Sequence, residues 1–229
     1  MRFRIFLRPL KTIFPDSEPE VSPILARMSV LYEDLRIEYQ GAYTARDKIP
    51  ELDIIDPIYR KFYFLRRSTV TLLEFAGALH YLRQRPEFNV IREKFSAKEL
   101  TTWNDAVQFF EKGSDRYEYL KKLRHEFGGH FQLSTIRSVL DRMDLDAIGV
   151  LEIAFDDPGK HNGPRLRYVF EFIARVIFKD RPNPEDNDQE LVRAWARNVF
   201  DTITDGWKHA VDVMGLLVRH EVYARFRRY

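Results

Sequence analysis

The sequence predicts a mainly α protein: one domain, a bundle of six to eight helices, with a small β-hairpin as a further element near residues 148–170. Three observations carry this. Apolar residues recur at three- and four-residue spacing through most of the chain, the period of one helix face. Ser, Asp-Pro and Gly bracket those runs where helices begin and end. The chain has 229 residues and 45% hydrophobic side chains, enough to bury a sizeable core. With 18 Phe and 11 Tyr, much of that core is expected to be ring packing.

The first fifteen residues carry Arg2, Arg4, Arg8 and Lys11 and no acid. Phe3, Leu7, Leu10 and Phe14 fall near helical spacing, while Phe3, Ile5 and Leu7 fit strand alternation. Pro9 opposes a clean helix. An ordinary first element of the fold is expected here, with a membrane-surface or transit segment as the alternative.

Residues 22–40 read as a helix. Ser22 suits its cap, Pro23 its first turn, and Gly41 its end. Ile24, Met28, Leu31 and Leu35 form its apolar stripe. Asp56-Pro57 opens a second, stronger helix that ends before Pro86. Ile58, Phe62, Leu65, Leu72, Ala76 and Leu79 line one side, and Tyr59, Tyr63, Val70 and Leu73 a neighbouring stripe. So wide an apolar face implies several packing partners, as in a bundle. Arg60, Lys61, Arg66 and Arg67 decorate it, as a solvated face or as a phosphate-binding patch.

Ser96-Ala97-Lys98-Glu99 is a capping box. The helix after it is expected to bury Trp103, Val107 and Phe110 and to stop near Gly113. Ser114 caps the next helix, with Tyr117, Leu120, Leu123 and Phe127 inward, and Gly128-Gly129 interrupts it. A further helix is expected over Ser134 to Met143, with Ile136, Leu140 and Met143 facing the core. The pattern then changes: Ile148 to Phe155 reads as a strand, Asp156 to Pro164 as a loop, and Arg165 to Phe178 as a returning strand, a helix, or one followed by the other. After a polar loop at 181–188, Leu191, Trp195, Val199, Ile203, Trp207, Val211, Met214, Val218 and Val222 keep a helical period to the C-terminus. Gly206 and Gly215 are expected to kink or split this region.

Charge narrows the function classes only a little. Net charge is +2, so the whole chain is not a strong polyanion binder, although local basic patches remain open. Cysteine is absent, which excludes disulfides and thiolate metal sites and fits a reducing, cytoplasmic setting. No apolar run approaches the length of a membrane span, so stable membrane insertion is not expected.

The chemistry-bearing stretch is Leu120-Lys121-Lys122-Leu123-Arg124-His125-Glu126-Phe127-Gly128-Gly129-His130. A zinc helix needs two histidines four apart, so that both rings leave one face. His125 and His130 are five apart, with two glycines between them, so no metal site is expected there. His161, His209 and His220 are scattered and read as surface or cap residues. Arg124 and His130 remain: a guanidinium that stabilises phosphate charge and an imidazole that moves protons near neutral pH.

Arg124, five intervening residues and His130 resemble the R-x(4–6)-H motif of the HEPN superfamily. The polar residue that family places after the arginine is matched by His125, and its apolar and basic lead-in by Leu120 to Leu123. The paired glycines depart from the pattern. The resemblance covers the helices from Pro57 to Met143, the HEPN-like bundle core. Residues 144–229, the hairpin-like insert and the long C-terminal helical region, lie outside it.

The resemblance implies a metal-independent endoribonuclease of the toxin–antitoxin or defence type. It implies no cofactor, RNA as substrate, a homodimer with two motifs facing one cleft, and an antitoxin partner. His130 would be its general acid/base, Arg124 its stabiliser of phosphate charge, and His125 an orienting or hydrogen-bonding group. The alternative is a non-catalytic helical interaction or scaffold protein in which Arg124 and His130 are structural.

Overall fold

In the computed structural model, the structure describes residues 13–15, 18–43, 57–128, 137, 140–141, 151–152, 165–166 and 189–222. Six α-helices are found among them: α1 (Val21–Tyr43), α2 (Pro57–Arg83), α3 (Pro86–Arg92), α4 (Ala97–Phe109), α5 (Asp115–Leu123) and α6 (Gln189–Leu217). π-Helical turns extend α5 over Arg124–Gly128 and α6 over Val218–Val222. Two short strands, β1 (Leu151–Glu152) and β2 (Arg165–Leu166), pair antiparallel with Leu151 opposite Leu166. The protein is mainly α.

α1 and α2 lie antiparallel. Gly41 meets Phe64 at one end, and Glu20 pairs with Arg85 at 2.9 Å at the other. α1 starts one residue before Ser22, whose Oγ donates to the Pro15 carbonyl at 3.1 Å instead of capping the helix. Gly41 does not end α1, which continues to Tyr43. Its role is close approach: a Cβ there would lie 2.2 Å from the Phe64 ring. The centre of the buried face is Val21, Leu25, Met28 and Leu35, with Ile24 and Leu31 at its flank.

In α2, Leu65, Leu72, Ala76 and Leu79 are buried as their spacing predicts, while Tyr63 is 42% exposed. The neighbouring stripe is therefore only partly covered. α2 ends at Arg83, before Pro86 as expected, and the proline then takes the first position of a further short helix, α3, where its missing N–H costs nothing. Phe88 and Ile91 of α3 go into the core, and the Phe88 and Trp103 rings lie 4.9 Å apart.

α4 begins with both halves of the capping box present, Ser96 with Glu99. Trp103, Ala106, Phe109 and Phe110 are buried. The turn after α4 needs Gly113, whose φ is +87°.

α6 is one uninterrupted helix, so neither glycine splits it. Gly206 instead lets α6 approach closely; a Cβ there would meet Leu72 at 3.0 Å and Phe109 at 3.2 Å. Val199, Ile203, Ala210, Val213, Met214, Leu216 and Leu217 join the same core as α1, α2 and α4. Val218, expected on the buried stripe, is 44% exposed at the start of the π turn. Leu140, expected to face the core, is 54% exposed; Ile136 and Met143 lie outside the described residues. Residues 1–12 also lie outside them, while Phe14 packs against the core. No helix among the described residues is long and apolar enough to cross a membrane.

Candidate functional site

α5 is short and well anchored. Ser114 Oγ accepts from the Tyr117 N–H at 3.2 Å, and Leu120 and Leu123 point into the core. Arg116 donates to Asn198 at 3.1 Å and to Thr202 at 2.7 Å, tying α5 to α6. With Leu123 locked inward, the next two side chains leave the other face. Arg124 and His125 are both exposed, and Glu126 is half-buried.

The helix widens to π geometry at Arg124, the first of five residues ending at Gly128. Such widened turns are uncommon and recur at functional sites, because they reposition side chains relative to a regular helix. Lys121 pairs with Glu118 at 3.3 Å. No acid among the described residues pairs with Arg124. The structure thus exposes a guanidinium and an imidazole at successive positions of the π turn. His130, the third predicted site residue, lies outside the described residues, as does Gly129.

Two further clusters escaped sequence reasoning. Glu38 of α1 is 6% exposed and faces α2. Its Oε1 accepts from Thr71 Oγ1 at 2.8 Å and lies 3.9 Å from Arg67 Nε; its Oε2 is buried with no hydrogen-bond partner among the described residues. Burial pushes its carboxyl up to about 7, against the smaller opposing pull of Thr71, Arg67 and Ser68. A signal for it existed: Glu38 is seven residues beyond Leu31 and three beyond Leu35, so it continues the apolar stripe of α1.

The second cluster joins the N-terminus of α4 to the turn after α6. Glu99 Oε1 meets His220 Nε2 at 3.0 Å and accepts from Arg219 Nη1 at 2.6 Å, while Oε2 accepts from the Ser96 N–H at 2.9 Å. The Ser96 backbone N–H, then His220, the Ser96 hydroxyl and Arg219 hold this carboxyl down at about 2. The Phe95 ring packs 5.1 Å from the His220 ring. His220, read from the sequence as a surface or cap residue, is thus a partner of the α4 capping glutamate. His209 is half-buried against Phe109 at 4.9 Å, and that burial lowers its pKa.

Among the described residues, no three His, Asp or Glu side chains are grouped to hold a metal ion. Among the described residues no carboxylate pairs with the exposed Arg124 guanidinium, which leaves it available to an anion. No known protein family, curated protein or solved structure matches this chain.

Proposed function

We propose that this chain is a HEPN-like, metal-independent endoribonuclease that works in bacterial defence or stress. The observation that carries the reading is the exposed Arg124–His125 pair on the π turn, with no acid among the described residues neutralising the arginine. A guanidinium committed to a structural ion pair would leave this reading without its anion stabiliser.

The chemistry follows from the residue types. His130 takes the proton of an RNA 2′-hydroxyl, and the freed oxygen attacks the adjacent phosphorus. The P–O5′ bond breaks, and the departing oxygen collects a proton. One product ends in a 2′,3′-cyclic phosphate and the other in a 5′-hydroxyl. Arg124 stabilises the charge gathered on the phosphate oxygens in between. His125 hydrogen-bonds the same phosphate or orients the arginine. The reading carries with it a homodimer that brings two such turns to one cleft, and an antitoxin protein that covers them.

The test is RNA cleavage by the purified protein in EDTA. Arg124→Ala is expected to slow cleavage by about 10²–10³-fold, the usual loss for one charge-stabilising donor. His130→Ala is expected to slow it by about 10²–10⁴-fold. No cleavage by the wild type, or cleavage that survives both substitutions, refutes the enzyme and leaves a non-catalytic helical scaffold.

A further inference from the structure

From Pro57 to Leu73, α2 carries the four cations Arg60, Lys61, Arg66 and Arg67 and no carboxylate. Arg60, Tyr63 and Arg67 are spaced three and four residues apart, so they share one face of the helix. Tyr63 is 42% exposed. Its orientation is set from below by an edge contact with Phe64 at 5.3 Å, and the Arg66 guanidinium stands 5.6 Å over its ring. Arg67 is 49% exposed. The carboxylate nearest to it is Glu38, which burial holds at about 7, so at neutral pH it cancels only part of the arginine charge.

We propose that the stripe of Arg60, Tyr63 and Arg67 is a binding surface for single-stranded RNA. Every base has a flat face that stacks on an exposed aromatic ring, while guanidiniums on either side hold the phosphates. A duplex offers no such free face. An anionic lipid surface would satisfy the cations but would want exposed Leu, Phe or Trp to insert, and a tyrosine flanked by arginines supplies none. The surface shares with the ribonuclease reading only its choice of RNA, since it contains none of Arg124, His125 and His130.

The experiment is fluorescence anisotropy with the full chain and a labelled 2′-O-methyl oligouridylate of about twelve nucleotides, within the span such sites cover. That RNA cannot be cleaved through its 2′-oxygen, so binding is read apart from catalysis. Tyr63→Ala is expected to weaken binding about tenfold, and Tyr63→Phe to leave it within about twofold. Arg67→Gln is expected to reduce the dependence of log K on log salt by about 0.7, one single-strand phosphate contact. A thermal melt of each variant accompanies the titrations, and the Tyr63→Phe and Arg67→Gln arms stand even where Tyr63→Ala does not fold. The proposal is overturned by a wild type that does not bind at about 50 mM salt. It is equally overturned by a folded Tyr63→Ala that binds unchanged, by equal affinity for a duplex, or by recruitment to phosphatidylserine vesicles without RNA binding. Failure of cleavage leaves it intact, and failure of binding leaves the cleavage test standing.

Discussion

Glu38→Gln probes the largest electrostatic conflict in the described core. The folded chain raises this carboxyl from 4.5 to about 7, mainly through burial. The folded state therefore holds the proton more tightly than the unfolded state does. The carboxyl costs little stability below 4.5, and that cost grows as pH rises towards and past 7. At about 1.4 kcal/mol per tenfold change in acidity, a move from 4.5 to about 7 amounts to about 3 kcal/mol when the group is fully ionised.

Glutamine removes the charge and keeps an oxygen to accept from Thr71. Its amide nitrogen inherits the unpartnered place of Oε2, at a cost of about 1–3 kcal/mol. That cost is present at every pH, so it cancels in a comparison between two pH values. The stability of Glu38→Gln relative to wild type is thus expected to improve by about 2–3 kcal/mol between pH 5 and pH 9. In a chain of this size that is roughly 5–10 °C in relative melting temperature. Thermal melts followed by circular dichroism at both pH values measure it. A difference between the two proteins that does not change with pH refutes the buried, uncomfortable carboxylate.

Two further expectations concern glycines and the C-terminal clamp. Gly41→Ala drives a methyl to 2.2 Å from Phe64 and is expected to destabilise by about 1–3 kcal/mol, whereas Gly215→Ala, with nothing within 4 Å, is expected to stabilise by about 0.5–1 kcal/mol; urea titrations separate the two. Equal effects at the two positions would contradict the packing between α1 and α2. Glu99→Gln weakens the anchor of Arg219 and His220, so hydrogen exchange of amides 218–222 is expected to speed up. Because the Glu99 carboxyl is held down at about 2, wild type keeps that anchor above 4.5 and loses it as pH falls towards 2. Exchange at 218–222 that ignores both the substitution and acid would show that the turn is held elsewhere.

The helices were legible because their signals are local. The capping box at Ser96 and Glu99 and the Ser114 cap each involve residues three apart, and the stripe Leu65, Leu72, Ala76 and Leu79 needs only helical geometry. The errors came where a residue answers to a distant neighbour. Gly41 and Gly206 looked like breaks, yet both serve close approach of another helix. The end of α2 before Pro86 was read correctly, but the short α3 that Pro86 starts was not foreseen. Tyr63 and Leu140 fit an apolar period, but no element among the described residues covers them. Of the predicted site, Arg124 and His125 lie exposed together on the turn, while His130 falls outside the described residues.

The sequence by itself determined where α1, α2, α4, α5 and α6 form, though not α3, and with them the mainly α class and the Arg124 and His125 that follow α5. These rest on periods and caps spanning a few residues. Only the tertiary structure decided which charges are answered. Glu38 meets Thr71 across 33 residues, and Glu99 meets His220 across 121. The physical reason is that desolvation and ion pairing depend on what packs alongside, and a linear pattern records only what lies next along the chain.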